Sequence, residues 1–123
     1  MRVVIADDSE PLRRVVAETV ITLGGEVVGE AGDGYAAVIA AVALEPDVVI
    51  MDWQMPDLDG VAATAAIRQR RPTVDVIAYS AAEDHAVAER FRRAGASAYI
   101  DKADTRGLFA ELKRRLTPAP ISS

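Results

Sequence analysis

Cysteine is absent from the 123-residue chain, histidine occurs once, and basic residues are fewer than acidic ones, 14 against 19. Without cysteine the chain can form neither a disulfide scaffold nor a thiolate metal site. The net charge of −5 argues against non-specific binding to nucleic acid. No apolar run approaches the ~20 residues of a membrane-spanning helix, and acidic residues come too early for a signal peptide. These absences predict a soluble, cytoplasmic chain that binds neither nucleic acid nor a membrane.

What the sequence does contain is an alternation of short apolar runs with stretches of helical periodicity. The apolar runs, typical of strands buried on both faces, fall at 3–6, 27–28, 48–51, 74–79 and 98–100. Strands that alternate with helices predict an α/β fold with a parallel sheet. We expect a flavodoxin-like, doubly wound (βα)5 domain over residues 1–116, with five parallel strands in the order 2-1-3-4-5. Residues 117–123, TPAPISS, are typical of a tail or the start of a linker.

Local signals mark where the helices begin and end. Ser9, Asp33 and Asp59 each precede a helical stretch and are predicted N-caps. Helix ends are predicted close to Gly24, Arg70 and Gly95 and before Pro46, and the last helix carries Leu108, Leu112 and Leu116. The single histidine, His85, is expected on the surface early in the fourth helix, without a catalytic part.

Polar residues follow four of the five predicted strands. They are Asp7 and Asp8 after the first, Asp52 after the third, Ser80 after the fourth, and Asp101 and Lys102 after the fifth. The second strand ends in Ala31-Gly32, which carries no reactive group. Ligands of doubly wound sheets bind at the carboxyl ends of the strands, near the point where strand order reverses. In the order 2-1-3-4-5 the four polar ends are neighbours, so we expect them to meet in one shallow pocket.

Each of these residues has an ordinary explanation when it is taken alone. An acid after a strand is commonly a loop residue or a helix cap, Ser80 could be a turn residue, and Lys102 a solvated charge. Three carboxylates within a few ångströms repel one another, however, so Asp7, Asp8 and Asp52 together need a cation or raised pKa values. Hard oxygen ligands without cysteine favour Mg²⁺ or Mn²⁺.

A carboxylate is a weak nucleophile, but it can attack a phosphorus centre whose charge is neutralised by a metal and a lysine. On this reasoning Asp52 is the phosphoacceptor, and Asp7 and Asp8 hold the metal. Lys102 supplies a positive charge to one phosphoryl oxygen and Ser80 a hydroxyl donor to another.

Four segments of the chain resemble, in order and spacing, the receiver domain of two-component response regulators: IADDSEPLRR, VVIMDWQMPDLDGVAATAAIR, VIAYSA and GASAYIDKAD. The resemblance covers essentially residues 1–116. It implies a phosphorylation-dependent switch, not an enzyme with a separate substrate, since a receiver catalyses only its own phosphorylation and dephosphorylation. Asp52 would take the phosphoryl group from the phosphohistidine of a sensor histidine kinase or a phosphotransfer protein.

The resemblance also implies roles for individual residues. Mg²⁺ would be bound by Asp8, Asp52 and the backbone carbonyl of Gln54, with Asp7 assisting partly through water. Ser80 and Tyr99 match the switch positions, and their reorientation would remodel the face of helix four, strand five and helix five. We expect five apolar residues to connect those elements: Val87, Phe91, Tyr99, Leu108 and Leu112. The face would control an effector domain or an output protein, with transcription the expected output, and phosphorylation could bring two copies together.

Ala103 departs from the pattern of many receivers, in which proline follows the lysine, commonly through a cis bond. Because a cis bond before a residue other than proline costs ~3 kcal/mol, the Lys102–Ala103 bond is expected to be trans. The sequence K-x-D before a helix is similar to receivers of LuxR-type helix-turn-helix regulators.

Three other functions fit the sequence less well. An aspartyl phosphatase of the haloacid-dehalogenase kind needs a second acid two residues after the nucleophile, where this chain has Gln54. A flavin-binding module needs a hydroxyl- and glycine-rich loop after the first strand, and a nucleotide-binding one needs G-x-x-x-x-G-K-[ST]; both are absent. A degenerate receiver that acts by contact alone is disfavoured because the set of three acids, hydroxyl and lysine is intact. The signal, the partner kinase and the effector are not specified by these residues.

Overall fold

The computed structural model describes residues 1–81 and 85–116, and over these residues strands and helices alternate. In chain order the elements are β1 (Arg2–Ala6), α1 (Glu10–Thr22), β2 (Glu26–Ala31), α2 (Gly34–Leu44), β3 (Val48–Met51), α3 (Gly60–Arg70), β4 (Asp75–Ser80), α4 (His85–Ala94), β5 (Ala98–Asp101) and α5 (Thr105–Leu116). Every strand pair is parallel, and the order across the sheet is β2-β1-β3-β4-β5. The predicted flavodoxin-like, doubly wound fold is therefore confirmed, while the predicted tail, 117–123, lies outside the described residues.

The three predicted N-caps are confirmed, and each places its side chain as expected. Ser9, Asp33 and Asp59 precede α1, α2 and α3, and each accepts a hydrogen bond from the amide three residues later, at 2.8–3.3 Å. These bonds satisfy amides that have no partner within the helix. His85 begins α4 and is exposed, as predicted.

Strand β2 ends at Ala31, as predicted, but it extends well beyond its short apolar run. The apolar signal covered only Val27 and Val28, whereas the strand runs from Glu26 to Ala31. The reason is its position at the edge of the sheet, with β1 as its one neighbour in the described chain. An edge strand is partly solvated, so polar residues such as Glu30 are tolerated and the apolar run that marks a central strand is lost.

The sheet divides the core into two layers. The first layer lies under α2, α3 and α4 and includes Val87 and Phe91, with Tyr99 packed against it. The second lies under α1 and α5 and includes Leu108 and Leu112. The apolar residues expected to connect the last elements are thus divided between opposite faces of the sheet, because α4 and α5 pack on opposite faces. Strand β5 contacts both α4 and α5 and so connects the two layers at this edge of the sheet.

No helix in the described parts of the chain combines the length and apolar composition needed to cross a lipid bilayer.

Gly60 fixes the path of the chain as it leaves β3. A Cβ at this position would lie 1.8 Å from the backbone oxygen of Asp52, which is a severe overlap. The Gly60 amide instead donates a hydrogen bond of 2.7 Å to the carbonyl of Trp53. The loop between β3 and α3 is therefore folded back tightly onto the residue that ends the strand, and only glycine permits this approach.

We predict that Gly60→Ala lowers the free energy of unfolding by about 1–3 kcal/mol through steric overlap. Alanine favours a helix over glycine by about 0.5–1 kcal/mol, so a loss of stability cannot come from helix propensity. Gly32→Ala is the matched control, because there a Cβ would meet only the end of the Arg13 side chain at 3.6 Å. Urea unfolding of the two variants measures the difference, and equal midpoints would contradict the steric argument.

Candidate functional site

The polar residues predicted to meet do so at the carboxyl edge of the sheet. Asp7 and Asp8 follow β1 and Asp52 follows β3, and one carboxylate oxygen from each lies within 4.8 Å of the others. Beside them is an open cleft of about 460 Å³, whose lining residues are Asp8, Asp52, Trp53, Gln54, Ser80, Ala81 and Lys102. The strand order explains this convergence, because β1, β3, β4 and β5 are consecutive neighbours in the sheet.

Asp52 is a buried carboxylate, with 6% of its surface exposed. Its Oδ1 accepts a hydrogen bond from the Trp53 amide at 2.8 Å and lies 3.2 Å from Nζ of Lys102. Burial raises the pKa of the Asp52 carboxyl above its ordinary value, the charge of Asp7 raises it further, and Lys102 offsets only part of this rise. The positive charge around Asp52 is therefore too small to balance its burial and the nearby charge of Asp7.

Lys102 joins the ends of three strands. Its Nζ lies 2.7 Å from Oδ2 of Asp7 and 3.2 Å from Oδ1 of Asp52, with 19% of its side chain exposed. Burial would lower the pKa of Lys102, but the hydrogen bond to Asp7 and the charges of Asp52 and Asp7 raise it above its ordinary value. The lysine therefore remains charged at neutral pH. One ammonium against three carboxylates still leaves an excess of negative charge.

The loop that carries Lys102 follows the expected path. The Lys102–Ala103 bond is trans, as predicted. Asp101, which also follows β5, accepts a hydrogen bond of 2.8 Å from the Ala103 amide and so shapes this turn instead of joining the carboxylate cluster. The Lys102 amide donates to the Ser80 carbonyl at 2.9 Å, which holds the loop against the end of β4.

Two residues that support the site were missed by the sequence reasoning. Arg13 of α1 donates a hydrogen bond of 2.6 Å to the carbonyl of Asp7 and another of 3.2 Å to Glu30. The buried Tyr79 donates its hydroxyl to the carbonyl of Lys102 at 3.3 Å. A signal existed for the second, because a tyrosine within a fully buried strand needs a partner for its hydroxyl. Arg13 gave no such signal, since a helical arginine is ordinarily solvated.

The two residues matched to switch positions occupy different places. Ser80 is buried at the end of β4 and lines the cleft. Tyr99 does not line the cleft; its ring lies 5.9 Å from that of Phe91, tilted by 50°. With His85 and Phe91 it lines a separate groove of about 560 Å³ between α4 and β5.

Fold and site together define a doubly wound α/β domain with an acidic, lysine-containing cleft at the carboxyl edge of its sheet. The chain belongs to the response regulator receiver domain family, whose match covers residues 3–113. The resemblance seen in the sequence is thereby confirmed, and the chain is a signalling domain of two-component systems.

The relatives agree with this assignment. The transcriptional regulatory protein PdtaR of Mycobacterium tuberculosis is 45% identical over 103 residues, which make up 82% of this chain and 49% of PdtaR. The chain thus spans about half the length of that relative. A LuxR-family two-component response regulator from Aurantimonas sp. superposes with a TM-score of 0.87 at 29% identity, over 94% of this chain and 84% of that one.

A third relative is informative about the cleft. The receiver domain of the sensor histidine kinase PA1611 from Pseudomonas aeruginosa has a TM-score of 0.79 and 30% identity, over 94% of this chain and 93% of its own. That structure has a magnesium ion coordinated in its active site cleft.

Proposed function

We propose that this domain is a phosphorylation-dependent switch in which Asp52 accepts a phosphoryl group from the phosphohistidine of a sensor histidine kinase or a phosphotransfer protein. The observation that carries the proposal is the setting of Asp52. It is a buried carboxylate at the mouth of a cleft, with a lysine 3.2 Å away and two further carboxylates close by. Such a group is protected from bulk solvent, yet is reachable by a phosphorylated side chain.

The donor set fits a hard divalent cation. Three carboxylate oxygens that lie within 4.8 Å of one another are ligands preferred by Mg²⁺ and Mn²⁺, and their excess charge favours binding. Asp8, Asp52 and the backbone carbonyl of Gln54 would hold Mg²⁺, with Asp7 assisting; Mn²⁺ could replace it. When bound, the ion would neutralise phosphoryl oxygens and so admit an anionic donor to an acidic cleft.

The protein's own groups then have distinct tasks in the transfer. A carboxylate oxygen of Asp52 attacks the phosphorus, forming a P–O bond, while the P–N bond to the donor histidine breaks and its electron pair stays on the imidazole. Lys102 supplies positive charge to a phosphoryl oxygen, and the Ser80 hydroxyl donates to another. Arg13 and Tyr79 hold the carbonyls of Asp7 and Lys102 and so keep the two loops in position.

The output is proposed to run from the cleft to the face of α4, β5 and α5. Movement of Ser80 toward the phosphoryl group would vacate space beneath α4, and the Tyr99 ring on the neighbouring strand would turn inward to fill it. A charge-assisted hydrogen bond contributes about 1.5–3 kcal/mol, which shifts a two-state equilibrium roughly ten- to a hundredfold.

The partners follow from these proposals. The altered face would act on an effector domain or an output protein, and the name of the transcriptional regulatory protein PdtaR supports transcription as the output. Phosphorylation could also promote a homodimer. We also propose a cytoplasmic location.

With Mg²⁺ and a small phosphodonor, we predict that the chain gains one phosphate and that Asp52→Asn abolishes the gain, because the amide cannot act as the nucleophile. Asp57→Asn is the control: Asp57 is exposed and outside the carboxylate cluster, so this variant should be phosphorylated normally. Intact-mass spectrometry measures incorporation. Equal incorporation in wild type and Asp52→Asn would refute the acceptor assignment.

Mg²⁺ should raise the melting temperature of the wild type, since the unfolded chain has no preformed site. At 100 times the dissociation constant the stabilisation would be about 2.7 kcal/mol. Asp8→Ala should remove this dependence and raise metal-free stability by relieving repulsion, whereas Asp57→Asn should retain it. Calorimetric melts with and without millimolar Mg²⁺ decide, and a wild type indifferent to the ion would contradict the cation site.

Beryllofluoride, a phosphoryl mimic, is predicted to change hydrogen exchange across residues 80–112 when Mg²⁺ is present. Ser80→Ala should confine the change to the cleft, because this variant lacks the hydroxyl that would move toward the phosphoryl group. Ser97→Ala removes a hydroxyl that lies outside the cleft, where it donates to the Val76 carbonyl and accepts from Arg115, and this variant should leave the wide response intact. A wild-type response limited to the loops after β1 and β3 would leave the acceptor site standing but not this route to the output face.

A further inference from the structure

Helix α2 is a surface helix without a single charged side chain. Its sequence is GYAAVIAAVAL, and its buried side is formed by Gly34, Ala37 and Ala41. Its outward side is apolar as well: Tyr35 is 57% exposed and Ile39 68% exposed. A surface helix normally places polar residues toward solvent, and one that is apolar all round is normally covered.

The outward residues form one stripe. Tyr35, Ile39 and Ala43 are all exposed and are spaced four residues apart, so they follow one another along the same side of α2. We call these three residues the α2 stripe. None of them lines the cleft, so the stripe is separate from the carboxylate site.

We propose that the α2 stripe is the contact through which two copies of this chain associate, with their α2 helices packed antiparallel about a two-fold axis beside Ile39. The proposal does not depend on phosphorylation of Asp52.

The side chains of the stripe decrease in size from the start of α2 to its end, which suits packing against a second copy. Tyr35 is large and lies near the start of α2, Ala43 is small and lies near its end, and Ile39 is the midpoint of Gly34–Leu44. Antiparallel packing places the Tyr35 ring of each copy over Ala43 of the other and the two Ile39 side chains together. Parallel packing would oppose two rings at one end and leave a gap between two alanines at the other.

The start of α2 is acidic. Asp33 caps the helix, and the loop before α3 lies directly against Gly34, where a Cβ would come 2.0 Å from the Leu58 oxygen. That loop carries the exposed Asp57 and the partly exposed Asp59. Three acidic residues therefore lie in the segments that meet at this end, and their charges disfavour its approach to the same end of another copy.

The end of α2 has guanidinium groups in addition to acids. Arg2 donates to the carbonyls of Leu44 and Glu45 at 2.7 and 3.1 Å, and Arg71 donates to the carbonyl of Val42 at 3.2 and 3.3 Å. The acids at this end are partnered: Glu45 lies 3.2 Å from Arg71, and Asp47 accepts from the Arg2 amide. Antiparallel packing brings the acidic start of one helix toward these cations, whereas parallel packing brings six carboxylates together.

The contact should be reversible. A helix of 11 residues is about 16 Å long. The surface area that the stripe and its borders could bury is therefore smaller than the roughly 1,200–2,000 Å² buried in a stable complex. We therefore expect a concentration-dependent equilibrium between monomer and dimer.

Sedimentation equilibrium on the full chain tests the surface. Wild type should show a monomer–dimer equilibrium that Ile39→Lys weakens at least tenfold. Ile21→Lys is the matched control, because Ile21 is an isoleucine of comparable exposure, 61%, on α1. A wild type that stays monomeric at millimolar concentration, or equal effects of the two substitutions, would overturn the proposal.

The absence of cysteine allows the orientation to be tested by disulfide crosslinking. Under mild oxidation Ile39→Cys should crosslink to itself, and a mixture of Tyr35→Cys and Ala43→Cys should give the mixed dimer. Neither of these last two should crosslink efficiently alone, and Ile21→Cys should react only at the collision rate. Efficient self-crosslinking of Tyr35→Cys, or Ile39→Cys no faster than Ile21→Cys, would refute the antiparallel pair.

Discussion

The ion pairs of Lys102 with Asp7 and Asp52 are the contacts on which the site depends. They join the ends of β5, β1 and β3, and they place one ammonium between two buried carboxylates. Burying an unpaired charge is costly, and Lys102 places a positive charge beside the buried side chains of Asp7 and Asp52. The loop after β5 is in turn held by the Tyr79 hydroxyl and the Ser80 carbonyl.

Lys102 neutralises the carboxylates of the site only in part, and the negative charge that remains explains the chemistry we propose. The pKa of Asp52 stays raised despite Lys102, because burial and the Asp7 charge outweigh it. Three carboxylate oxygens already lie close together, so the protein would need little reorganisation to bind a cation there. A phosphoryl group would then offer Lys102 new oxygens in exchange for its present partners. The same excess of negative charge thus favours both metal binding and a change of contacts on phosphorylation.

The sheet controls how such a change can spread. Neighbouring residues of β4 face different surroundings: Tyr79 packs in the layer with α1 and α5, while Ser80 lines the cleft. Tyr99 packs in the layer with α2, α3 and α4. On the proposed route, a rearrangement at Ser80 would reach α4 through Tyr99 and Phe91, and α5 through β5. Helix α2 lies in the same layer as α3 and α4, but its outward stripe does not line the cleft, so it offers a contact whose formation need not follow the state of the cleft.

The sequence by itself determined the elements, the helix caps and the membership of the acidic cluster. These depend on local features: apolar runs, the side-chain oxygens of Ser9, Asp33 and Asp59, and acids placed directly after strands. Only the tertiary structure decided the pairing of Lys102 with Asp7, the support from Arg13, and the position of Tyr99 outside the cleft. Each of these depends on which strands are neighbours and on distances between residues far apart in the chain. Periodicity identifies the buried side of an element, but packing sets what that side touches.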